Sequence, residues 1–121
     1  MAGLLIKEKK MKKFPPGVSY QEQLIKSLRD PEEAAGYLNA ALEENNRKLF
    51  LHALRNVLEA QGGLTRAART ARLNRVSLYK MLASNGNPGF ENILRLLQAA
   101  GICLYVKPSR NSKLKIRKKA A

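Results

Sequence analysis

The sequence predicts an all-α fold for most of the chain, and three observations support this prediction. Apolar residues recur at intervals of three and four through residues 19–100, as they do on one face of a helix. Glycines, prolines and good capping residues divide these runs into segments of helical length. A short stretch, Ile102 to Lys107, has the β-prone composition of a strand. We therefore expect a five-helix domain with an N-terminal helix extension and one short C-terminal β-strand.

The first two helices are each marked by a capping residue. Ser19, with Glu22 three residues later, forms a capping box that predicts a short helix within residues 19–30. Asp30 as N-cap and Pro31 at the first helical position predict the start of the second helix. The apolar residues of the second helix should form one stripe against the core: Ala34, Tyr37, Leu38, Ala41 and Leu42.

The third helix is predicted over about residues 46–61 because its apolar residues form a continuous face. These residues are Leu49, Phe50, Ala53, Leu54, Val57 and Leu58. The pair Gly62–Gly63 ends the helix, since glycine tolerates the left-handed conformation that follows many helices. His52 lies on the opposite side, with no cysteine or second histidine to join it, so we expect it at the surface.

Two short helices, at about 65–71 and 75–83, follow with the pattern of a helix-turn-helix. Ala67 and Ala68 are small enough for a second helix to approach closely. Residues 71–73 would form the turn, and Asn74 would cap the second helix. The apolar contacts between the two helices are assigned to Leu64, Leu73, Leu78 and Leu82.

A last helix and a strand complete the predicted domain. The loop "SNGNPG" at residues 84–89 precedes a helix over about 89–100, which Gly101 ends. The apolar residues expected to face inward are Phe90, Ile93, Leu94, Leu96 and Leu97. The strand Ile102 to Lys107 cannot satisfy its own backbone groups, so it needs a partner from the N-terminal region or from another chain. Cys103, within this strand, is expected in the core.

Basic residues dominate the chain and limit its possible partners. Lys and Arg total 23 against 9 acidic residues, which gives a net charge of +14 and a pI near 10.4. This balance favours nucleic acid, with an anionic membrane surface or an acidic protein as the other options. Residues 1–18 and 108–121 are predicted as a basic flexible tail and a basic disordered tail around one domain at 19–107. These tails either solubilise the protein or extend its contact with the DNA backbone.

Several classes of function find no support in the sequence. The single cysteine excludes an internal disulfide and favours a reducing compartment. No secretory signal is recognised, and no apolar run approaches the ~20 residues that span a bilayer. Neither paired carboxylates nor a Gly-rich phosphate loop is found, so we predict no catalytic site, no metal and no cofactor. We expect a soluble cytoplasmic protein, nucleoid-associated if it binds DNA.

The stretch from Ala53 to Val106 resembles a known family. Its segment "SLYKMLASNGNPGF", followed by a Leu-rich helix, is similar to the HigA-type addiction-module antidotes of the lambda-repressor-like (Xre/Cro-CI) helix-turn-helix group. Upstream, "AAGYLNAALEE" and "LFLHAL" also resemble the first half of that family, so the similarity covers about residues 20–107. The resemblance implies a five-helix DNA-binding fold, operator binding as a homodimer and pairing with a RelE/HigB-like ribonuclease toxin.

One residue departs from the family pattern. The family turn normally carries glycine four residues after the buried alanine, in a left-handed conformation, and Arg72 stands at that place after Ala68. A residue other than glycine costs roughly 1 kcal/mol or more in this conformation. Either the turn is slightly reshaped or Arg72 gains a contact with phosphate.

The candidate DNA-binding residues are Thr65, Arg66, Arg72, Asn74, Arg75, Val76, Ser77, Tyr79, Lys80, Asn85 and Asn87. By the resemblance, Arg75 and Val76 match positions that reach base edges, where arginine suits guanine and valine suits the thymine methyl group. Thr65, Asn85 and Asn87 are candidates for phosphate contacts, or they act only in capping and turn formation. For the charged residues of the second short helix, the alternative is a solvated helix face.

The leading hypothesis is a sequence-specific DNA-binding repressor that acts as the antitoxin of a type II toxin–antitoxin module. Its partners would be double-stranded operator DNA and the toxin, the latter bound through residues 19–45 or 102–107. The alternatives are a solitary helix-turn-helix regulator without a toxin, a nonspecific basic nucleic-acid binder, and an interaction module with an acidic partner.

Overall fold

The computed structural model describes residues 19–109, and six α-helices fill most of that range. In chain order they are α1 (Tyr20–Ser27), α2 (Pro31–Glu43), α3 (Arg47–Ala60), α4 (Leu64–Ala71), α5 (Arg75–Leu82) and α6 (Phe90–Ala99). These helices confirm the predicted all-α fold. The predicted basic tails, residues 1–18 and 108–121, lie outside the described residues apart from positions 108 and 109.

Side-chain caps start four of the helices. The cap residues are Ser19, Asp30, Asn46 and Asn74, and the side-chain oxygen of each accepts a hydrogen bond from a backbone N–H of the first turn. The predicted caps at positions 19, 30 and 74 are therefore confirmed. Helices α4 and α6 instead have Gly63 and Gly89 at the N-cap position, with no side-chain cap. The first-turn N–H groups of these two helices therefore lack a capping side chain.

Helix α3 lies at the centre of the domain and contacts each of the other five helices. Its side chains Leu51, Leu54 and Val57 are at most 1% exposed. Leu78 of α5 and Leu96 of α6 are fully buried in the same core cluster. Burial of one such side chain stabilises the fold by roughly 1.5–3 kcal/mol. The position of α5 is therefore fixed by the core around α3.

A buried amide joins three helices inside this core. Asn56 of α3 is 2% exposed, and its Oδ1 accepts a hydrogen bond from Gln21 Nε2 of α1 at 2.9 Å. Its Nδ2 donates to the hydroxyl of Tyr37 in α2 at 3.0 Å. Burial raises the pKa of Tyr37, while the hydrogen bond from Asn56 lowers it to a smaller extent. Because both ends of the amide are paired, Asn56 links α1 and α2 to α3 without leaving an unsatisfied polar group.

Three of the core residues predicted on helices are exposed. Leu42 is 47% exposed, Leu49 36% and Phe90 66%. Leu42 lies in the last turn of α2, Leu49 in the first turn of α3, and Phe90 is the first residue of α6. Apolar periodicity marks a face of a helix, but the neighbouring helices do not cover that face as far as its ends. The assignment of these three residues to the core was therefore wrong.

The predicted strand is also wrong within the described part of the chain. Residues 102–107 follow α6 as a segment without regular secondary structure. Only Ile102 packs against the core, whereas Tyr105 is 75% exposed and Val106 is 92% exposed. A strand needs a neighbour for its backbone N–H and C=O groups, and residues 19–109 contain no second strand. Cys103, predicted in the core, is exposed for the same reason.

Candidate nucleic-acid interface

Helices α4 and α5 pack against each other through small and branched side chains. Ala67, Ala68 and Ala71 of α4 are buried, as are Leu78 and Leu82 of α5. Helix α4 contacts both α5 and α6, and its buried alanines are small enough to let a neighbouring helix approach closely. Both helices also contact α3, so their outer faces are presented on a rigid support.

In the turn between these helices, Arg72 takes the left-handed conformation in which the family pattern carries glycine. This residue has φ 59° and ψ 45°. The N–H of Leu73 donates to the carbonyl of Ala68 at 2.8 Å, and the N–H of Arg72 donates to that of Arg69 at 3.2 Å. This is the Schellman pattern that usually carries glycine. The turn is not reshaped, so the backbone of Arg72 bears a strain of about 1–2 kcal/mol.

Asn74 sets the start of α5. Its Oδ1 accepts a hydrogen bond from the N–H of Ser77 at 2.7 Å. Arg75 and Val76 are consequently the first two residues of the helix, and both are exposed, Val76 by 64%. A branched apolar side chain this exposed gains nothing from the fold, and it is available to a partner.

Ten of the eleven candidate residues are exposed, and Ser77 is half-buried. The exposed ones are Thr65, Arg66, Arg72, Asn74, Arg75, Val76, Tyr79, Lys80, Asn85 and Asn87. The structure directly joins two pairs of candidates: Asn74 with Ser77 through the cap, and Arg75 with Tyr79 through a ring contact. The others share exposure on the same α4–α5 unit or on the loop that follows it.

The loop after α5 is held close to the helix by Gly86. The Gly86 N–H donates to the carbonyl of Ala83 at 2.8 Å, and the residue is buried between two exposed asparagines, Asn85 and Asn87. A Cβ atom at this position would overlap the backbone carbonyl of Met81. Glycine is therefore required by space, and it fixes both asparagines beside the end of α5.

The surface of the α4–α5 unit carries charge of one sign. Arg66, Arg69, Arg72, Arg75 and Lys80 are exposed, and no acidic residue occurs between positions 61 and 90. The ion pairs found in residues 19–109 lie on other segments, within α3 and within α6. The five cations therefore repel one another, and an anionic partner would relieve that repulsion.

An aromatic contact brings a residue of α3 to this surface. The guanidinium carbon of Arg55 lies 5.5 Å from the centre of the Tyr79 ring, and that of Arg75 lies 5.8 Å from it. Both distances are typical of cation–π contacts. The sequence analysis missed Arg55, because it lies 24 residues before Tyr79 on a helix assigned only to the core. No local pattern signals such a contact between helices.

The exposed polar side chains of this surface are guanidinium, ammonium, hydroxyl and amide groups. Within residues 19–109 there is no group of three or more His, Cys, Asp or Glu residues able to hold a metal ion. No helix in the described range is both long and apolar enough to cross a bilayer. Guanidinium, ammonium, hydroxyl and amide groups are the donors that proteins use for phosphate oxygens and base edges.

Comparison with known proteins places the chain in a family. A curated "Uncharacterized protein" of Haemophilus influenzae (strain Rd) is 36% identical over 83 residues, which cover 69% of this chain and 84% of that protein. No solved structure matches the chain significantly. The family model described as "Probable addiction module antidote protein" matches residues 20–108, which include all six helices and every candidate residue. The chain therefore belongs to the probable addiction-module antidote protein family.

Proposed function

We propose that the protein is a sequence-specific DNA-binding repressor and the antitoxin of a type II toxin–antitoxin module. Membership of the antidote family implies a toxin as partner. The observation that carries the DNA-binding half of the proposal is the exposed, acid-free cationic face of α4, the turn and α5. In this reading the α4–α5 unit is a helix-turn-helix, and α5 is its recognition helix.

The start of α5 suits the reading of base edges. Recognition helices contact bases mainly with their N-terminal residues, and Arg75 and Val76 are the first two residues of α5. A guanidinium can donate to both O6 and N7 of guanine, and a valine side chain can contact the methyl group of thymine. Each well-formed contact of the arginine type discriminates by about 1–3 kcal/mol.

The flanks of α5 suit contacts with the phosphate backbone. Lys80 lies more than one turn beyond Arg75, and Asn85 and Asn87 follow the helix on the loop fixed by Gly86. At the start of α4, Thr65 lies in a first turn that has no side-chain cap. Uncapped N–H groups at a helix start can donate to a phosphate, and the helix dipole favours negative charge there.

Toxin binding would use surfaces that leave α5 accessible. Two such surfaces are exposed and partly apolar: the end of α2 with the start of α3, which carries Leu42 and Leu49, and the segment Leu104 to Val106. A homodimer would present two copies of α5 to the half-sites of a palindromic operator.

Competition between duplexes tests the DNA-binding proposal. The full-length protein is titrated with a duplex from upstream of its own gene and with a scrambled duplex of equal length and composition. Sequence-specific binding predicts a ratio of affinities of at least ~10³ at physiological salt. Equal affinities would make the protein a nonspecific nucleic-acid binder instead.

Co-purification tests the antitoxin half. The product of the adjacent gene is expressed alone and together with the tagged protein. Growth of the host cells is measured in both cases, and the tagged protein is then purified to see whether the gene product accompanies it. A stable complex that restores growth supports the proposal. DNA binding without any such complex would favour a solitary regulator.

A further inference from the structure

Two arginines from different helices meet at one aromatic ring. Arg55 comes from α3 and Arg75 from α5, and their guanidinium carbons lie 5.5 and 5.8 Å from the centre of the Tyr79 ring. Each contact is attractive for its own guanidinium. The two positive charges nevertheless repel each other, and a negative group near the ring would reduce that repulsion.

The carboxylate nearest to Arg55 is a weak partner. Its Nε lies 3.4 Å from Oε1 of Glu59, and the two side chains are 40% and 37% exposed. The pair also runs in the less favourable direction, since an acidic residue one turn before a basic one suits the helix better. The pair Glu91–Arg95 in α6 has that better direction and a distance of 2.8 Å. Arg55 can therefore exchange Glu59 for another anion at little cost.

We propose that Arg55 is a phosphate-contacting residue of the DNA interface, positioned by the ring of Tyr79. The inference rests on the proposed function, because Tyr79 and Arg75 lie on the helix assigned to the major groove. Arg55 belongs to α3 and not to that helix. We therefore assign it to the sugar–phosphate backbone of the DNA beside the major groove. Its planar fork of N–H donors matches two phosphate oxygens. The central core helix thereby joins the binding surface, which the sequence did not indicate.

The test compares Arg55 with a matched arginine elsewhere. Arg55→Ala should weaken binding to operator and scrambled duplex by similar factors, about three- to tenfold, and flatten the slope of log K against log salt by ~0.9. Arg55→Lys keeps the charge and should retain most of that slope. Arg95→Ala removes an arginine of similar exposure from the other Arg–Glu pair, and it should leave both quantities near the wild-type values.

A fourth variant tests whether Glu59 competes with the anionic ligand for Arg55. Glu59→Gln removes the carboxylate nearest to Arg55, so it should strengthen binding to both duplexes about two- to fivefold. This variant still tests the assignment if Arg55→Ala fails to fold, which a thermal melt reveals. Unchanged affinity in Glu59→Gln would then overturn the assignment.

The remaining outcomes separate the two proposals. If the wild-type protein binds DNA but Arg55→Ala keeps the full salt slope, the assignment of Arg55 fails and the proposed function stands. Equal losses in Arg55→Ala and Arg95→Ala would show an effect of net charge alone and would also overturn the assignment. A wild-type protein that binds no duplex overturns both.

Discussion

Replacing Arg72 with glycine should make the protein more stable. Arg72 holds φ 59° and ψ 45°, a conformation that costs an L-residue about 1–2 kcal/mol and glycine almost nothing. Glycine also raises the conformational entropy of the unfolded chain, which takes back ~0.4–1 kcal/mol. The net gain is therefore roughly 0.5–1 kcal/mol. For a domain of this size, a change of that magnitude raises the melting temperature by about 2–8 °C.

Two control variants separate backbone strain from charge. Arg72→Ala removes the same charge but keeps the strain, so it reports only the relief of repulsion from the neighbouring cations. Arg69→Gly places glycine inside α4, where it should cost about 1 kcal/mol relative to alanine. Urea unfolding followed by circular dichroism gives the free energy of unfolding for each variant.

The comparison of Arg72→Gly with Arg72→Ala decides the matter. If the glycine variant is no more stable than the alanine variant, the left-handed strain does not contribute to stability and the reasoning is refuted. A gain shared by both variants would place the effect in electrostatic repulsion. Under the proposed function, both variants should also lose affinity for DNA, because a cation at the turn is removed.

Five further substitutions have expected outcomes. Gly86→Ala would bring Cβ into the last turn of α5, so the thermal melt should show a loss of ~1–3 kcal/mol, and a variant as stable as wild type would contradict the close packing. Asn56→Ala removes the partner of two side chains and should cost ~2–3 kcal/mol in urea unfolding. Arg75→Ala should weaken operator binding by ~1–3 kcal/mol and leave scrambled duplex unchanged, whereas Lys80→Ala should weaken both and flatten the salt slope by ~1. Burial raises the pKa of Tyr37. The neutral tyrosine therefore stabilises the fold fully below about pH 10, and this stabilisation is lost as the pH rises further. In Tyr37→Phe, the free energy of unfolding should consequently fall less steeply above that pH.

The sequence predicted the features that depend on neighbouring residues. The caps at Ser19, Asp30 and Asn74 are confirmed, because a cap is a hydrogen bond within one turn. The left-handed conformation at Arg72 was suggested by the family pattern, with a reshaped turn as the alternative. The caps, the apolar spacing, Gly62–Gly63 and the loop at 84–89 together predicted six helical segments. Most of the fold was therefore predictable from spacing alone.

The features that the sequence did not predict depend on distant residues. The strand predicted at 102–107 required a partner strand, and residues 19–109 contain none. Leu49 has the periodicity of a core residue but lies beyond the reach of the helices around it. The approach of Arg55 to Tyr79 joins two helices far apart in sequence. The spacing of residues within one segment does not show which other segments will pack against it.

The buried amide of Asn56 adds a free-energy cost to any separation of α1 or α2 from α3. Its partners are Gln21 on α1 and Tyr37 on α2, and the next residue toward the start of α3 is Arg55. A ligand that moved either partner away would leave a buried amide group unpaired, at a cost of about 1–3 kcal/mol. A ligand that binds only after Gln21 or Tyr37 has moved would therefore bind more weakly by that free energy.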